Sequence, residues 1–298
     1  MDSLDLTSQD WLPAAAGLTE ATSRSLLQSI QSIDLSTSAS AQPIGTRFAY
    51  RGAGGKAIVM LHGFDSSCLE FRRLVPELAV DHRLWALDML GFGFGDRPAD
   101  LQVSPAKICE HLYAFWQSQV KEPMVLLGAS MGGAAAIEFA LSHPEAVEKL
   151  VLLDSAGLTR GPNLSKVLIK PLGNLATGFL RRPDVRIKVS QKAYQDQSLV
   201  TEDANLCASL HLLMPNWSEA LITFTRSGGY YVGDRITQVA VPTLILWGRQ
   251  DRILGTKDAA RFEAAIALSR LQWIEDCGHV PHLEKAQETA GAIAAFVA

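Results

Sequence analysis

The sequence predicts an α/β fold with a mostly parallel sheet, helices on both faces and a helical insertion. From Gly45 onward, short apolar runs bounded by Gly, Asp and Pro alternate with longer helical stretches, which is typical of repeated βαβ units. The chain has 298 residues, of which 48% are hydrophobic. A chain of this length can bury a sizeable core as one domain with an insertion.

Six continuous apolar runs mark the clearest strands. Their lack of polar alternation is expected for a parallel sheet that is buried on both faces. The predicted strands cover residues 57–61, 83–88, 124–127, 150–154, 243–247 and 271–274. The predicted helices cover residues 104–121, 131–142, 256–268 and 284–297. Pro123 and Pro144 act as helix stops between these elements.

The alternation of strands and helices is interrupted once, which divides the chain into three parts. Leu18, Leu26, Ile30 and Ile33 recur at roughly helical intervals, so we expect the start of the chain to pack as a helix. A partly disordered arm is the alternative. The predicted parts are an N-terminal arm over residues 1–43, a core over residues 44–155 and 236–298, and a helical cap over residues 156–235.

Composition and charge exclude several classes of function. The formal net charge is -4 at pH 7 and no basic run occurs, so the sequence predicts no nucleic-acid partner. The four cysteines have neither paired spacing nor metal-ligand spacing, which favours free thiols in a reducing compartment. Residues 1–23 contain no Lys or Arg, unlike a secretory signal, so we expect a protein that is not secreted.

A Gly-x-Ser-x-Gly motif gives the strongest chemical signal in the chain. It occupies residues 128–132, follows an apolar strand and opens a helix rich in small residues. In this context a tight turn holds the serine hydroxyl above the sheet edge, and glycines are needed where a Cβ would clash. The motif therefore predicts Ser130 as a nucleophile; a serine that only caps the helix is the alternative.

A serine hydroxyl is a poor nucleophile at neutral pH, so it needs a histidine base and a carboxylate that orients the histidine. Asp251 and His279 follow two successive predicted strands, in the chain order expected after the serine. Both lie beyond carboxyl ends of strands, where open α/β sheets bind their ligands. These residues predict a triad of Ser130, His279 and Asp251 on an α/β-hydrolase fold.

Two residues compete for places in this triad. His282 is the rival base, three residues beyond His279, and we favour His279 because Gly278 lets the backbone turn tightly beside it. Asp154 follows another predicted strand and is the rival carboxylate; a solvated loop acid is its ordinary interpretation.

Ester cleavage passes through a tetrahedral oxyanion, which needs preorganised backbone donors. The segment His62-Gly63-Phe64-Asp65 follows the first clear strand and offers the Phe64 N–H. The residue after the nucleophile, Met131, offers a second N–H. We therefore predict an oxyanion hole formed by Phe64 and Met131, with an ordinary turn as the alternative.

Several segments are far more particular than the fold requires, and with them the chain resembles chlorophyll dephytylase of cyanobacteria and chloroplasts. The resemblance extends from about Arg47 to the C-terminus. It is carried by residues 61–70 (LHGFDSSCLE), 88–94 (DMLGFGF), 143–148 (HPEAVE) and 227–230 (SGGY). Plant members are expected to have proline before the serine, whereas this chain has Ala129, which puts the fine geometry of the turn in doubt.

The resemblance implies hydrolysis of the phytyl ester of chlorophyll to chlorophyllide and phytol, by a Ser-Asp-His triad that maps onto Ser130, Asp251 and His279. It implies no metal and no organic cofactor. A substrate with a long isoprenoid tail demands an apolar pocket, for which the cap supplies two apolar series. The candidate substrate-binding residues are His62, Leu168, Phe179, His211, Trp217 and Tyr230. Apolar residues of a cap more often form its own core.

The cap is basic in a chain that is acidic overall. Its cations are Arg160, Lys166, Lys170, Arg181, Arg182, Arg186, Lys188 and Lys192, against Asp184 alone within residues 160–192. Basic residues near an anionic surface contribute about 1 kcal/mol each. We therefore expect the cap to dock peripherally on the anionic thylakoid membrane, on its cytoplasmic side; a soluble protein with a solvated basic face is the alternative.

Two other functions stay open at the level of sequence. The same triad serves esterases and lipases of broader range and hydrolases of C–C bonds. A protein that binds an apolar ligand without turnover is a third hypothesis, although a binder has no need of all three triad groups.

Overall fold

The computed structural model describes residues 12–160 and 170–298, and it confirms the α/β-hydrolase fold. Eight strands form one sheet in the order β1-β2-β4-β3-β5-β6-β7-β8. Strand β2 pairs antiparallel with β1 and β4, and the other neighbours are parallel. The strands are β1 Ile30–Leu35, β2 Ile44–Arg51, β3 Ala57–Leu61, β4 Arg83–Leu87, β5 Met124–Ala129, β6 Val147–Leu153, β7 Thr243–Gly248 and β8 Ser269–Ile274.

Helices cover both faces of this sheet. Along β3, Val59 and Leu61 belong to one buried cluster, whereas Ile58 and Met60 belong to the other. This division is the reason why the strands are apolar throughout. The helices of the core are α1 Leu12–Ala15, α2 Ala21–Leu27, α3 Leu74–Leu78, α4 Pro105–Phe115, α5 Met131–Ser142, α10 Lys257–Ala265, α11 Pro281–Glu284 and α12 Ala286–Val297.

The start of the chain departs from the predicted helical arm. Ile30 and Ile33 lie in β1, which pairs with β2 in a register that places Ile30 opposite Ala49. In β1, Ile30 and Leu35 are buried, and pairing with a neighbouring strand overrides the roughly helical spacing. Strand β2 was also absent from the predicted strands. Within the described residues, the segment before β1 is helical as predicted in α1 and in α2, which contains Leu26.

In the part of the chain that the structure describes, four α-helices lie between β6 and β7, at the position of the predicted cap. They are α6 Lys170–Leu180, α7 Pro183–Ala193, α8 Glu202–Cys207 and α9 Trp217–Arg226. The buried carboxylate of Asp203 in α8 accepts hydrogen bonds from the Glu20 N–H at 2.8 Å and the Ser23 hydroxyl at 2.6 Å. The N-terminal segment is therefore fastened to α8. Within the described residues, no helix is long and apolar enough to span a membrane.

Candidate active site

Ser130 occupies a strained turn between β5 and α5. Its φ is 51° and its ψ is -116°, a backbone conformation that L-residues rarely adopt. The glycines around it permit this turn, because a Cβ on Gly132 would lie 2.1 Å from the Leu61 carbonyl oxygen. A Cβ on Gly128 would similarly lie 2.2 Å from the Gly132 oxygen. The strain and the close packing are those of a nucleophile elbow.

His279 and Asp251 meet at the carboxyl ends of β8 and β7. The Nδ1 of His279 lies 3.0 Å from Asp251 Oδ2. The other carboxylate oxygen of Asp251 accepts the backbone N–H groups of Ile253 at 2.7 Å and Leu254 at 3.1 Å. Burial raises the pKa of Asp251, but these hydrogen bonds and the charge of His279 lower it below its ordinary value. The carboxylate is thus held in place and kept ionised beside the imidazole.

Ser130 and His279 line one cavity of about 270 Å³. Phe64 lines the same cavity, together with apolar side chains from the cap, from the loops after β7 and β8, and from α11. Those apolar residues include Val189, Ile253, Val280 and Leu283. The structure therefore brings the predicted nucleophile and base to a shared, mainly apolar space.

The loop that carries the Phe64 N–H passes beside the elbow. A Cβ on Gly63 would lie 3.6 Å from the Ser130 Cβ. The Gly63 N–H donates to the partly buried Glu70 carboxylate at 2.9 Å, which fixes the backbone just before Phe64. Met131 opens α5, so its N–H is at the helix N-terminus, where backbone N–H groups lack intrahelical acceptors and can bind an anion.

The rival histidine has a different partner. Nε2 of His282 lies 3.1 Å from Glu70 Oε1, and the ring is buried. Burial raises the pKa of Glu70, but the hydrogen bond and charge of His282 lower it to about 2. His282 and Glu70 therefore tie the loop after β8 to the loop after β3, while His279 takes the place beside Asp251.

The candidate substrate-binding residues are dispersed. His62 is buried, and its Nε2 accepts the Met89 N–H at 3.2 Å, so it supports the loop behind the cavity. Tyr230 packs on Phe224 rather than lining the cavity with Ser130. Phe179 is 54% exposed on α6. Leu168 lies outside the described residues.

Asp65 gathers the remaining two candidates. The indole N–H of Trp217 donates to Asp65 Oδ1 at 2.8 Å, and His211 Nε2 lies 3.2 Å from the same oxygen. Arg186 of α7 donates to Asp65 Oδ2 at 2.6 Å. His211, Trp217 and Arg186 thus hold the cap on the core through one buried carboxylate. The sequence predicts substrate contacts for His211 and Trp217 and a membrane contact for Arg186, because their common partner Asp65 is far away in sequence.

We expect Asp65→Asn to destabilise the protein by about 3 kcal/mol, because it leaves Arg186 without its buried counter-charge. Burial raises the pKa of Asp65, but its partners lower it overall. Its contribution is consequently present at neutral pH and is lost only in acid. Asparagine tolerates the φ of 51° at this position, so backbone strain is not the cause.

Urea unfolding at neutral pH measures this loss. The matched control is Asp184→Asn, which removes an exposed cap carboxylate paired with Arg182 and should leave the midpoint unchanged. Equal stability of Asp65→Asn and the parent protein would contradict the assigned role of Asp65.

Comparison with known proteins decides the family. Residues 58–292 match the alpha/beta hydrolase family. The chain belongs to this family. One relative of this α/β-hydrolase is the alpha/beta hydrolase domain-containing protein VTE7 of Arabidopsis thaliana, which is 33% identical over 241 residues, covering 80% of this chain and 73% of the relative.

Other relatives of this α/β-hydrolase are bacterial. The 2-hydroxymuconate semialdehyde hydrolase of a Pseudomonas species is 27% identical over 257 residues, covering 82% of this chain and 87% of that protein. Among solved structures, a thermophilic esterase from Thermogutta terrifontis superposes with a TM-score of 0.75 at 20% identity, covering 90% of this chain and 98% of the esterase. The structural likeness at this identity establishes the fold alone.

Proposed function

We propose that the protein is a serine hydrolase of carboxylic esters, with Ser130 as nucleophile, His279 as general base and Asp251 as the residue that orients the base. The observation that carries this proposal is the strained Ser130 elbow on a cavity that it shares with His279, whose Nδ1 is bonded to Asp251. A serine that only caps a helix has no need of positive φ or of a histidine paired with a buried carboxylate.

The geometry supports the following chemistry. The Asp251 carboxylate keeps the proton of His279 on Nδ1, so Nε2 accepts the proton of the Ser130 hydroxyl as Oγ attacks the ester carbonyl. The Phe64 and Met131 N–H groups stabilise the oxyanion. His279 then returns the proton to the leaving alcohol, and a water molecule, deprotonated by the same ring, releases the acid from Ser130.

We further propose that the ester is the phytyl ester of chlorophyll or of a related pigment. The resemblance to chlorophyll dephytylase supports this substrate, since its most particular segment, residues 61–70, contributes Phe64, Asp65 and Glu70 to the site and its supports. In this reaction the pigment's propionate acylates Ser130, and phytol leaves.

The cavity volume bears on how such a substrate is held. Pockets that enclose a drug-sized ligand span roughly 300–1,000 Å³, and a macrocycle with an isoprenoid tail is larger. With a cavity of about 270 Å³, part of the substrate must lie outside it. The cap offers apolar surface for that part, because Leu172, Leu175 and Phe179 on α6 are 49%, 72% and 54% exposed.

The charge of α7, the next helix of the cap, supports peripheral docking on an anionic membrane. The exposed lysines Lys188 and Lys192 follow the apolar α6 along the chain, and Val189 both lies between them and lines the cavity. Two of the basic residues of the cap already have acidic partners within the protein. Arg186 pairs with Asp65, and Arg160 pairs with Asp234, so neither charge is free to bind a membrane. Lys166 and the side chain of Lys170 lie outside the described residues.

We expect the double variant Lys188→Gln, Lys192→Gln to bind anionic vesicles about tenfold more weakly or worse, since each lysine contributes about 1 kcal/mol near such a surface. Flotation with phosphatidylglycerol vesicles at low salt measures the binding. The control is Lys121→Gln, Lys257→Gln, which removes two exposed lysines outside the cap. Equal binding by all three proteins would refute docking through these lysines.

A C–C bond hydrolase is the second candidate. It is favoured by the bacterial relatives, which include the 2-hydroxymuconate semialdehyde hydrolase. Incubation of the purified protein with solubilised chlorophyll, a short nitrophenyl ester and a meta-cleavage product, followed by chromatography, separates the candidates. Formation of chlorophyllide supports the dephytylase, cleavage of the nitrophenyl ester alone supports a broader esterase, and cleavage of the meta-cleavage product alone supports the second candidate.

A further inference from the structure

A second aspartate lies against the pair of His279 and Asp251. Asp154 directly follows β6, as Asp251 follows the neighbouring β7, and its φ is 42°. One carboxylate oxygen of Asp154, one carboxylate oxygen of Asp251 and one ring nitrogen of His279 all lie within 4.8 Å of one another. Asp154 is fully buried, so water cannot screen its carboxyl group from that of Asp251.

The hydrogen bonds of Asp154 are asymmetric. Oδ1 accepts the Gly248 N–H at 3.0 Å. Oδ2 is buried, and none of the described residues gives it a hydrogen-bond donor. An ionised carboxylate would leave that oxygen without a donor while it faces a second carboxylate, an arrangement that costs several kcal/mol. A proton on Oδ2 removes both difficulties, because the oxygen then becomes a donor.

We infer that Asp154 keeps its proton and donates a hydrogen bond to Asp251, which makes Asp154 a positioning residue for the His279–Asp251 pair. This inference rests on the proposed function, in which Asp251 acts on His279. It extends that function, because a carboxylate shared between one imidazole and one carboxylic acid is fixed from both sides.

The surroundings of Asp154 agree with a neutral acid. Burial and then the charge of Asp251 raise the pKa of Asp154 well above its usual range. Glu284 of α11 adds further negative charge, and the Cys277 thiol after β8 carries none at neutral pH because burial raises its pKa. His279, which is bonded to Asp251, also lies close to Asp154. Of the neighbouring charges, that of Asp251 most strongly opposes ionisation of Asp154, and removing Asp251 therefore favours the ionised form.

A consequence follows for variants without Asp251. In Asp251→Ala the Asp154 carboxyl can ionise, and its oxygen lies near enough to His279 to orient the ring after a small movement. Deleting the acid of a triad ordinarily costs about 10⁴-fold in kcat. Here Asp154 should preserve part of that activity, and the preserved part should grow with rising pH as Asp154 loses its proton.

The test uses the full chain, a nitrophenyl ester and three variants. Asp154→Asn should stay within about twofold of the parent in kcat and KM, because the amide donates where the protonated oxygen did and still accepts from Gly248. Asp251→Ala should be at least tenfold more active than the double variant Asp154→Asn, Asp251→Ala. The ratio of the activity of Asp251→Ala to that of the double variant should increase as the pH rises.

The contrary outcomes are equally definite. A tenfold or greater fall in kcat for Asp154→Asn at unchanged thermal stability would show that its ionised form is needed, and would overturn the inference. Equal activities of Asp251→Ala and the double variant would overturn the compensating role. If Asp154→Asn does not fold, ¹³C NMR of the parent protein decides, because the carboxyl resonance assigned to Asp154 must remain that of a protonated acid at neutral pH.

A failure of the proposed function is distinguishable from a failure of this inference. Ester hydrolysis that persists undiminished in Ser130→Ala removes the proposed function. The carboxyl resonance of the parent protein reports the protonation of Asp154 whichever residue is the nucleophile.

Discussion

Ser130→Ala should abolish ester hydrolysis, with a loss on the order of 10⁴-fold or more in kcat. The variant removes the oxygen that forms the acyl-enzyme, while the apolar cavity and the Phe64 and Met131 N–H groups remain. Substrate binding should therefore change little. Initial rates with chlorophyll and with a nitrophenyl ester, read as chlorophyllide and nitrophenol, measure the effect.

The appropriate control is Ser142→Ala, at the exposed C-terminal end of the same helix, which should retain full activity. A fluorophosphonate probe gives an independent readout, since it should label the parent protein and the control but not Ser130→Ala. Labelling of Ser130→Ala at an undiminished rate would place the nucleophile elsewhere. An unlabelled parent protein that binds pigment would instead support a non-catalytic binder.

Replacement of the base should be nearly as damaging. His279→Gln leaves Ser130 without a proton acceptor, so we expect a loss of about 10⁴-fold or more in kcat. In the proposed mechanism, the imidazole next to Asp251 gains and loses a proton in each half of the reaction.

His282→Gln provides a matched comparison within the same loop. It removes a buried ring that bonds Glu70 and only indirectly supports the Gly63 N–H, so its effect should be at least a hundredfold smaller than that of His279→Gln. Circular dichroism and thermal unfolding of both variants separate chemical loss from misfolding. A reversed order of the two effects would assign the base to His282.

Local patterns predicted six of the eight strands and the position of the elbow. Strand β5, Ser130 and the glycines after it are contiguous in the chain. The nearest atoms to a Cβ at Gly132 belong to the backbone of Leu61 and His62, which the strand order brings there. The positions of His279 and Asp251 could also be predicted, because these residues follow β8 and β7, which are neighbouring parallel strands. Such placements depend on topology, and parallel α/β topology constrains where the ends of strands meet.

Other features could not be predicted, since they depend on partners far apart in sequence. In the sequence, Asp65 is one residue of a motif, and nothing in that motif predicts its contacts with Arg186, His211 and Trp217. Glu70 likewise gave no signal of its bond to His282, which is 212 residues away. Strand β1 carried a spacing compatible with a helix, and only its partner β2 determines the extended form.

The end of α7 touches the segment that carries the base. The His279 N–H donates to the Ala193 carbonyl at 2.7 Å, and a Cβ on Gly278 would lie 2.1 Å from that same oxygen. Displacing this end of α7 to admit a bulky ester would therefore also displace the His279 imidazole relative to Ser130. Substrate entry that preserves turnover must accordingly keep this hydrogen bond, so any opening of the cap has to occur elsewhere.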